Sequence, residues 1–176
     1  CNKLNPYRGG FSEVFRALDL ASLREVALKG ASPEDQVRAI EGLAEVHRRA
    51  APYVKGWWGT QPARGKPARA KTHDWAGTST VAATLRSVME NTAPLEAKLA
   101  VIKAWRTVND PSALPMLRAM AHSHYKSDLP VEAVISLTAM KDKESVPLFA
   151  KIASDERCFE ELRREAVKGI AEIGSA

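Results

Sequence analysis

The sequence predicts an all-α protein: a right-handed α-solenoid of stacked antiparallel helix pairs, with one long irregular loop at about residues 55–78. Three observations support this prediction. Aromatic residues make up only 6% of the 176 residues whereas alanine is plentiful, which favours close helix packing over a β-sandwich. Apolar residues recur at the three-to-four spacing of amphipathic helices. Short segments also recur at a nearly constant interval, as in repeat proteins.

Residues 11–54 are predicted to form the N-terminal helices. Ser32 and Pro33, followed by two acidic residues, make a strong helix start, because serine caps the first turn and proline fits its first position. The segment "AIEGLAEV" at 39–46 resembles "AVKGIAEI" at 166–173 position by position. It is therefore predicted to be a repeat helix as well.

Residues 55–78, "KGWWGTQPARGKPARAKTHDWAGT", are predicted to be an insertion between the two helices of one repeat. Ala39 and Ala100 are too far apart for one repeat interval, but their separation comes close to that interval once this segment is left out. The segment "TSTVAATLRSVMEN" that follows is predicted to be the returning second helix. The whole chain, 1–176, is then one helical-repeat array.

Residues 79–176 carry the clearest repeats. The triplets Ala100-Val101-Ile102, Ala133-Val134-Ile135 and Ala166-Val167-Lys168 recur at a constant interval. Asp110 and Asp142 are separated by almost the same interval, as are Pro115 and Pro147. Each unit is predicted to be a helix, a short polar turn capped by aspartate or serine, and a second helix whose first turn holds the proline.

Both helices of a unit are predicted to be amphipathic. One apolar face of the first helix carries Leu95, Leu99, Ile102 and Trp105, and one face of the second carries Leu114, Leu117 and Met120. Neither helix can bury its apolar face alone, so stacked pairs are expected to share a continuous core.

The paired helices, the turn aspartate and the proline that opens the second helix resemble HEAT-type repeats of the short, bacterial kind. This resemblance covers most of residues 11–175 and implies an α-solenoid. The tetratricopeptide and ankyrin signatures are absent from the sequence.

A narrower resemblance rests on "GWWGTQPARGKPARAKTHDWAGT". This segment is similar to one in large multidomain proteins of environmental bacteria such as planctomycetes, where HEAT-like repeats follow a dehydrogenase-like β-propeller and often precede a cytochrome c domain. The resemblance implies that the chain is the spacer region of such a protein, and an extracytoplasmic location. The initial Cys1 favours a fragment of a longer protein over a lipidated mature terminus.

The net charge of +5 is concentrated in residues 55–78. That segment holds five basic residues and one acid, whereas the two flanking parts are close to neutral. Basic groups interleaved with aromatic rings suit a groove for single-stranded nucleic acid or an anionic sugar chain. The alternative is that the tryptophans anchor the loop and the cations are solvated. The candidate polyanion-binding residues are Lys55, Arg64, Lys66, Arg69, Lys71, Trp57, Trp58 and Trp75.

The sequence offers no catalytic, cofactor-binding or metal-binding residues. No C-x-x-C-H haem motif, phosphate-binding glycine loop or ligand cluster is present, so no cofactor and no enzymatic activity are predicted for this chain. His122 and His124 are two apart on a helix and point away from each other. His73 beside Asp74 has no recognisable nucleophile, and His47 is expected at the end of its helix.

Three functions therefore remain open. The first is a non-catalytic scaffold that binds a protein partner or a neighbouring domain of the same chain. The second is binding of nucleic acid or another anionic polymer through residues 55–78. The third is a spacer within a redox enzyme whose catalytic parts lie outside this chain. No membrane-spanning segment is predicted, because no apolar run approaches the ~20 residues that a bilayer requires.

Overall fold

The architecture comes from a computed structural model, which describes residues 11–50, 72–122 and 127–174. These residues are almost entirely helical, which confirms the all-α prediction. The described α-helices are α1 (Phe11–Lys29), α2 (Pro33–Val46), α3 (Thr78–Glu90), α4 (Leu95–Val108), α5 (Leu114–Ala121), α6 (Asp128–Ala139), α7 (Val146–Ser154) and α8 (Glu160–Gly174).

The helices pack in neighbouring pairs and in one extended row. The pairs in contact are α1 with α2, α3 with α4, α5 with α6, and α7 with α8. The even-numbered helices also contact one another in chain order, α2 with α4, α4 with α6, and α6 with α8. We call these four helices the even row. Since α1 also contacts α3, the odd-numbered helices begin a second row beside the first.

The α4 core differs in one respect from the predicted apolar face. Ile102 and Trp105 are fully buried, but Leu95 is 46% exposed and Leu99 is only half-buried. Alanines explain the difference. Ala97, Ala100 and Ala104 are buried on α4, and their small side chains let neighbouring helices approach there, which leaves the larger leucines at the margin.

The repeat interval places equivalent valines between successive helices of the even row. Val101 on α4 and Val134 on α6 are fully buried, whereas Val167 on α8 is 56% exposed. α6 packs on α4 and α8 packs on α6, but no described helix follows α8. On α8, Gly169 permits close packing, because a Cβ atom there would lie 2.5 Å from Thr138 Oγ1 and 2.7 Å from Phe149 Cε2.

The serine and proline signals mark helix starts as predicted, but no side chain caps α5 or α7, because a turn of 3₁₀ helix separates each of them from its turn aspartate. The Ser32 hydroxyl accepts a hydrogen bond from the Asp35 amide at 3.1 Å, which caps α2. Pro115 and Pro147 both lie in the first turn of their helices. A single turn of 3₁₀ helix precedes each of them, at Pro111–Ala113 and Lys143–Ser145.

Asn109 and Lys141, separated by the same interval as the two turn aspartates, mark equivalent ends of α4 and α6. Both have left-handed backbone conformations, with φ of 53° and 57°. Left-handed residues commonly end helices, because they turn the chain while its amides satisfy the last carbonyls. The repeat is therefore visible in the backbone as well as in the sequence.

The α2–α3 connection is more ordered at its ends than the predicted irregular loop. Strand β1 (Arg49–Ala50) pairs in antiparallel fashion with β2 (Thr72–His73), with Ala50 opposite Thr72. This strand pair closes the base of the connection, and α3 begins at Thr78, the last residue of the predicted loop. Residues 51–71 lie outside the described part of the chain.

Candidate functional site

A groove of about 630 Å³ lies between α2 and α4. Its apolar floor is formed by side chains from both helices, at Val37, Ala44, Leu99, Ala100 and Ala104. The alanines of α4 are buried, whereas Val37 and Leu99 are only half-buried and reach the groove surface. The surface is concave here because the alanine side chains are shorter than those of Val37 and Leu99 beside them.

The rim of the groove is acidic. Glu41 and Glu45 line it from α2, Glu96 lines it from α4, and all three are exposed. Glu41 and Glu45 are four positions apart on one helix, so their charges repel each other across a single turn. Neither has a salt bridge among the described residues, and the same holds for Glu96.

The cation of the groove is directed towards the next helix of the even row. Lys103 lines the groove, and its Nζ lies 3.8 Å from Glu132 Oε1 on α6. Arg106 Nη2 approaches the other oxygen of that carboxylate at 2.6 Å. Glu132 therefore draws Lys103 and Arg106 away from the three acids on the rim.

Trp75 anchors the end of the insertion to the helices. Its Nε1 donates a hydrogen bond to the Val46 carbonyl at 2.9 Å, and its ring packs directly against Gly77, where a Cβ atom would collide with it. The Thr78 hydroxyl accepts from the Trp75 amide and donates to the His47 carbonyl at 2.7 Å. The end of α2 and the start of α3 are thus held together.

Two arginines complete the base of the insertion. The Arg49 guanidinium lies 3.8 Å from the centre of the Trp75 ring, within the range of a cation–π contact. Arg48 Nε lies 3.1 Å from Asp74 Oδ1, but both of these side chains are largely exposed. The aromatic anchor is therefore better shielded from water than the ion pair.

His47 is buried at the end of α2, although the sequence predicts only its position at the helix end. It lines a cavity of about 480 Å³ together with residues of the insertion base and the α4–α5 turn. Burial lowers the pKa of the imidazole, as does the charge of Arg48, whereas Asp74 and Asp110 oppose the shift. The lowered pKa favours the neutral imidazole in this site.

The predicted polyanion-binding residues fall mainly outside the described part of the chain. Among them, only Trp75 lies within it, and its contacts are those of an anchor. The others are Lys55, Trp57, Trp58, Arg64, Lys66, Arg69 and Lys71. Of the other histidines, His73 is exposed on β2 and His122 is exposed at the end of α5, while His124 lies outside the described residues.

The turn aspartates bind arginines from the preceding unit. Arg118 donates two hydrogen bonds to the Asp142 carboxylate, at 2.7 Å from Nε and 2.6 Å from Nη2. The Ser145 hydroxyl also donates to that carboxylate. Desolvation raises the pKa of Asp142, but the bonds from Arg118 and Ser145 outweigh it, so the pKa is lowered overall. Arg86 lies 3.9 Å from Asp110 in the equivalent place.

Two features escaped the sequence prediction. Arg86 and Arg118 have the same spacing as Asp110 and Asp142, so the arginine partners could have been found from the repeat. The acidic rim could not, because Glu96 joins Glu41 and Glu45 only once α4 is known to pack beside α2.

Neither a metal centre nor a membrane span is found in residues 11–50, 72–122 and 127–174. Their His, Cys, Asp and Glu side chains form no group of three or more that could hold an ion. No helix in these ranges combines the length and apolar character needed to cross a bilayer. The chain matches no model of a protein family, no curated protein sequence and no solved structure.

Proposed function

We propose that the chain is a non-catalytic helical-repeat scaffold that binds a protein partner, or a neighbouring domain of the same chain, along the exposed side of the even row. We also propose that the helices form a right-handed α-solenoid of HEAT-like helix pairs. Support comes from the successive contacts of α2, α4, α6 and α8, and from the equivalent left-handed turns that end α4 and α6.

The observation that carries this function is the groove between α2 and α4. It combines a half-exposed apolar floor with charged groups that have no partner among the described residues, and such a combination is typical of a surface that another chain covers. Of the apolar residues that α4 contributes to this floor, Leu99 has the largest side chain.

A site-specific cross-link tests the proposal in cells that make the protein. A photoreactive amino acid replaces Thr107, an exposed residue of the groove, or Ala150, an exposed residue of α7, as the matched control. We expect one protein or neighbouring domain to be cross-linked from position 107 and not from position 150, and Leu99→Ser to weaken that product. Equal labelling from both positions would contradict the proposal.

A second candidate function is polyanion binding through residues 55–78. Its support is the concentration of charge in this segment, together with a base held by Trp75 and the β1–β2 pair. Labelled single-stranded DNA and an anionic polysaccharide should then bind with an affinity that falls as salt rises. Replacing Arg64, Lys66, Arg69 and Lys71 by alanine should abolish binding.

The control for this test removes four exposed cations elsewhere, at Arg24, Arg38, Lys151 and Arg164. Equal losses in the two variants would mean that net charge alone drives the binding. The spacer role in a multidomain redox enzyme stays a prediction from the sequence resemblance, and the full-length gene tests it directly by encoding, or not encoding, a propeller and a haem motif.

A further inference from the structure

We propose that the partner segment bound in the groove between α2 and α4 is a basic amphipathic helix. This inference rests on the scaffold function proposed above and gives it a ligand class. It draws on three properties of the groove: its apolar floor, its acidic rim and the absence of hydrogen-bonding side chains from that floor.

The floor fits the apolar side of a helix. The volume of the groove, about 630 Å³, lies within the range of ~300–1,000 Å³ that is typical of ligand pockets. Val37 and Leu99 come from opposite sides of the floor, one from each helix, so side chains that protrude from a partner helix would fit between them. The buried alanines beneath, Ala100 and Ala104, allow such side chains to approach closely.

The rim selects for positive charge. Glu41, Glu45 and Glu96 are exposed and unpaired within the described ranges, and Lys103 is directed towards Glu132. The repulsion between Glu41 and Glu45 disfavours α2 in isolation, so a cation placed over that turn would relieve it. Lysine or arginine residues four apart on a partner helix have the matching spacing. The same acids would repel the phosphates of a nucleic acid.

The floor also distinguishes a helix from an extended strand. An extended segment has backbone amides and carbonyls that need partners, and buried ones are costly when unpaired. The floor is formed by alanines, valine and leucine, whereas the other lining residues, Glu41, Glu45, Glu96, Lys103 and Thr107, are polar and exposed. A helix satisfies its own backbone, so it can be buried against such a floor with only its side chains in contact.

The test selects displayed random peptides of about 16 residues, which span ~24 Å as a helix, on the whole chain. We expect enrichment of sequences with apolar residues three and four apart and with lysine or arginine beside them. Synthetic versions should bind about tenfold more weakly to the triple variant Glu41→Gln, Glu45→Gln and Glu96→Gln, since three exposed ion pairs are lost. Their affinity should also fall between ~0.01 and 0.15 M salt, as the screening length drops from ~30 to ~8 Å.

The matched control neutralises three exposed glutamates away from the groove, at Glu25, Glu90 and Glu156, and should leave the affinity unchanged. Exposed Glu→Gln changes leave the core untouched, so a loss of binding is not a loss of folding. One outcome would overturn this inference and leave the scaffold function standing. In it, the selected peptides bind less well to Leu99→Ser, but they either lack basic residues or bind the triple variant as well as the unchanged protein. Peptides indifferent to both variants, or no enrichment at all, would overturn both.

Discussion

The α6–α7 turn and the α2–α3 connection each join a helix of the even row to the odd-numbered helix that follows, but different interactions hold them. The turn depends on the Asp142 carboxylate, which is 5% exposed and accepts two hydrogen bonds from Arg118. The connection depends on the Trp75 indole and on an ion pair, Arg48 with Asp74, whose side chains are 49% and 68% exposed. The short turn concentrates its stabilising contacts on one buried carboxylate. The long connection distributes them over a half-buried tryptophan and an exposed ion pair.

Removing Arg118 should have the largest effect on stability. Arg118→Ala leaves the buried Asp142 charge without its main partner, and we expect a loss of about 3 kcal/mol in the free energy of unfolding. Urea unfolding followed by circular dichroism measures it. Adding Asp142→Asn should recover part of the loss, because the amide carries no charge to bury.

The matched control for this variant is Arg86→Ala. Arg86 is the equivalent arginine of the preceding unit, but it lies 3.9 Å from Asp110 and is 43% exposed, so the expected loss is below about 1 kcal/mol. Equal losses at the two positions would show that burial of the aspartate does not determine the strength of these turns.

Replacing Trp75 by alanine should have the second largest effect. The variant loses the hydrogen bond to the Val46 carbonyl and the contact with Gly77, and a half-buried tryptophan makes a loss of about 2 kcal/mol reasonable. Hydrogen exchange at the end of α2 and the start of α3 should increase more than exchange in α6 and α8. An unchanged pattern at α2 and α3 would mean that the anchor does not hold the connection.

Acid should weaken the α2–α3 connection through His47. The folded-state pKa of this buried imidazole is below its ordinary value of about 6.5, so the unfolded chain takes up the proton first. Its contribution to stability is therefore present above about pH 6.5 and is lost as the pH falls below it. His47→Gln should make the unfolding free energy depend less steeply on pH between about 7 and 5, as measured by urea titrations. If the unfolding free energy of the variant depended equally steeply on pH, His47 would not be the source of this pH dependence.

The smallest effect is expected at the exposed ion pair of the connection. Arg48→Ala should change the free energy of unfolding by about 0.5 kcal/mol or less, because both charges remain hydrated. The same urea titrations apply, and Asp74→Ala should behave alike. A loss as large as that of Arg118→Ala would erase the distinction between the two connections.

Local signals predicted the helices well. The Ser32 cap and the prolines at 115 and 147 act within a few residues of themselves, so the chain displays them directly. The exposure of Leu95 was predicted wrongly, because helical periodicity gives a face but not its width, and small alanines move the line of closest packing.

Contacts between units were harder to predict. The burial of His47 depends on Asp74, Trp75 and the α4–α5 turn meeting at one edge, and these are distant in sequence. The acidic rim likewise requires α2 and α4 to lie side by side. Periodicity in one chain reports which residues are equivalent, but not which of them face each other across a groove.

Because a strand pair closes the base of the α2–α3 connection, we expect that residues 51–71 can be replaced by another segment. Because Ala50 faces Thr72 across an antiparallel pair, a two-residue Asn-Gly turn could join them directly while α2 and α3 keep their places. Replacing residues 51–71 by this turn removes five cations and no acids, so the net charge of the chain falls from +5 to zero. We therefore expect the helical rows and the charged segment to vary independently, so that a different peptide could be grafted at the same two residues.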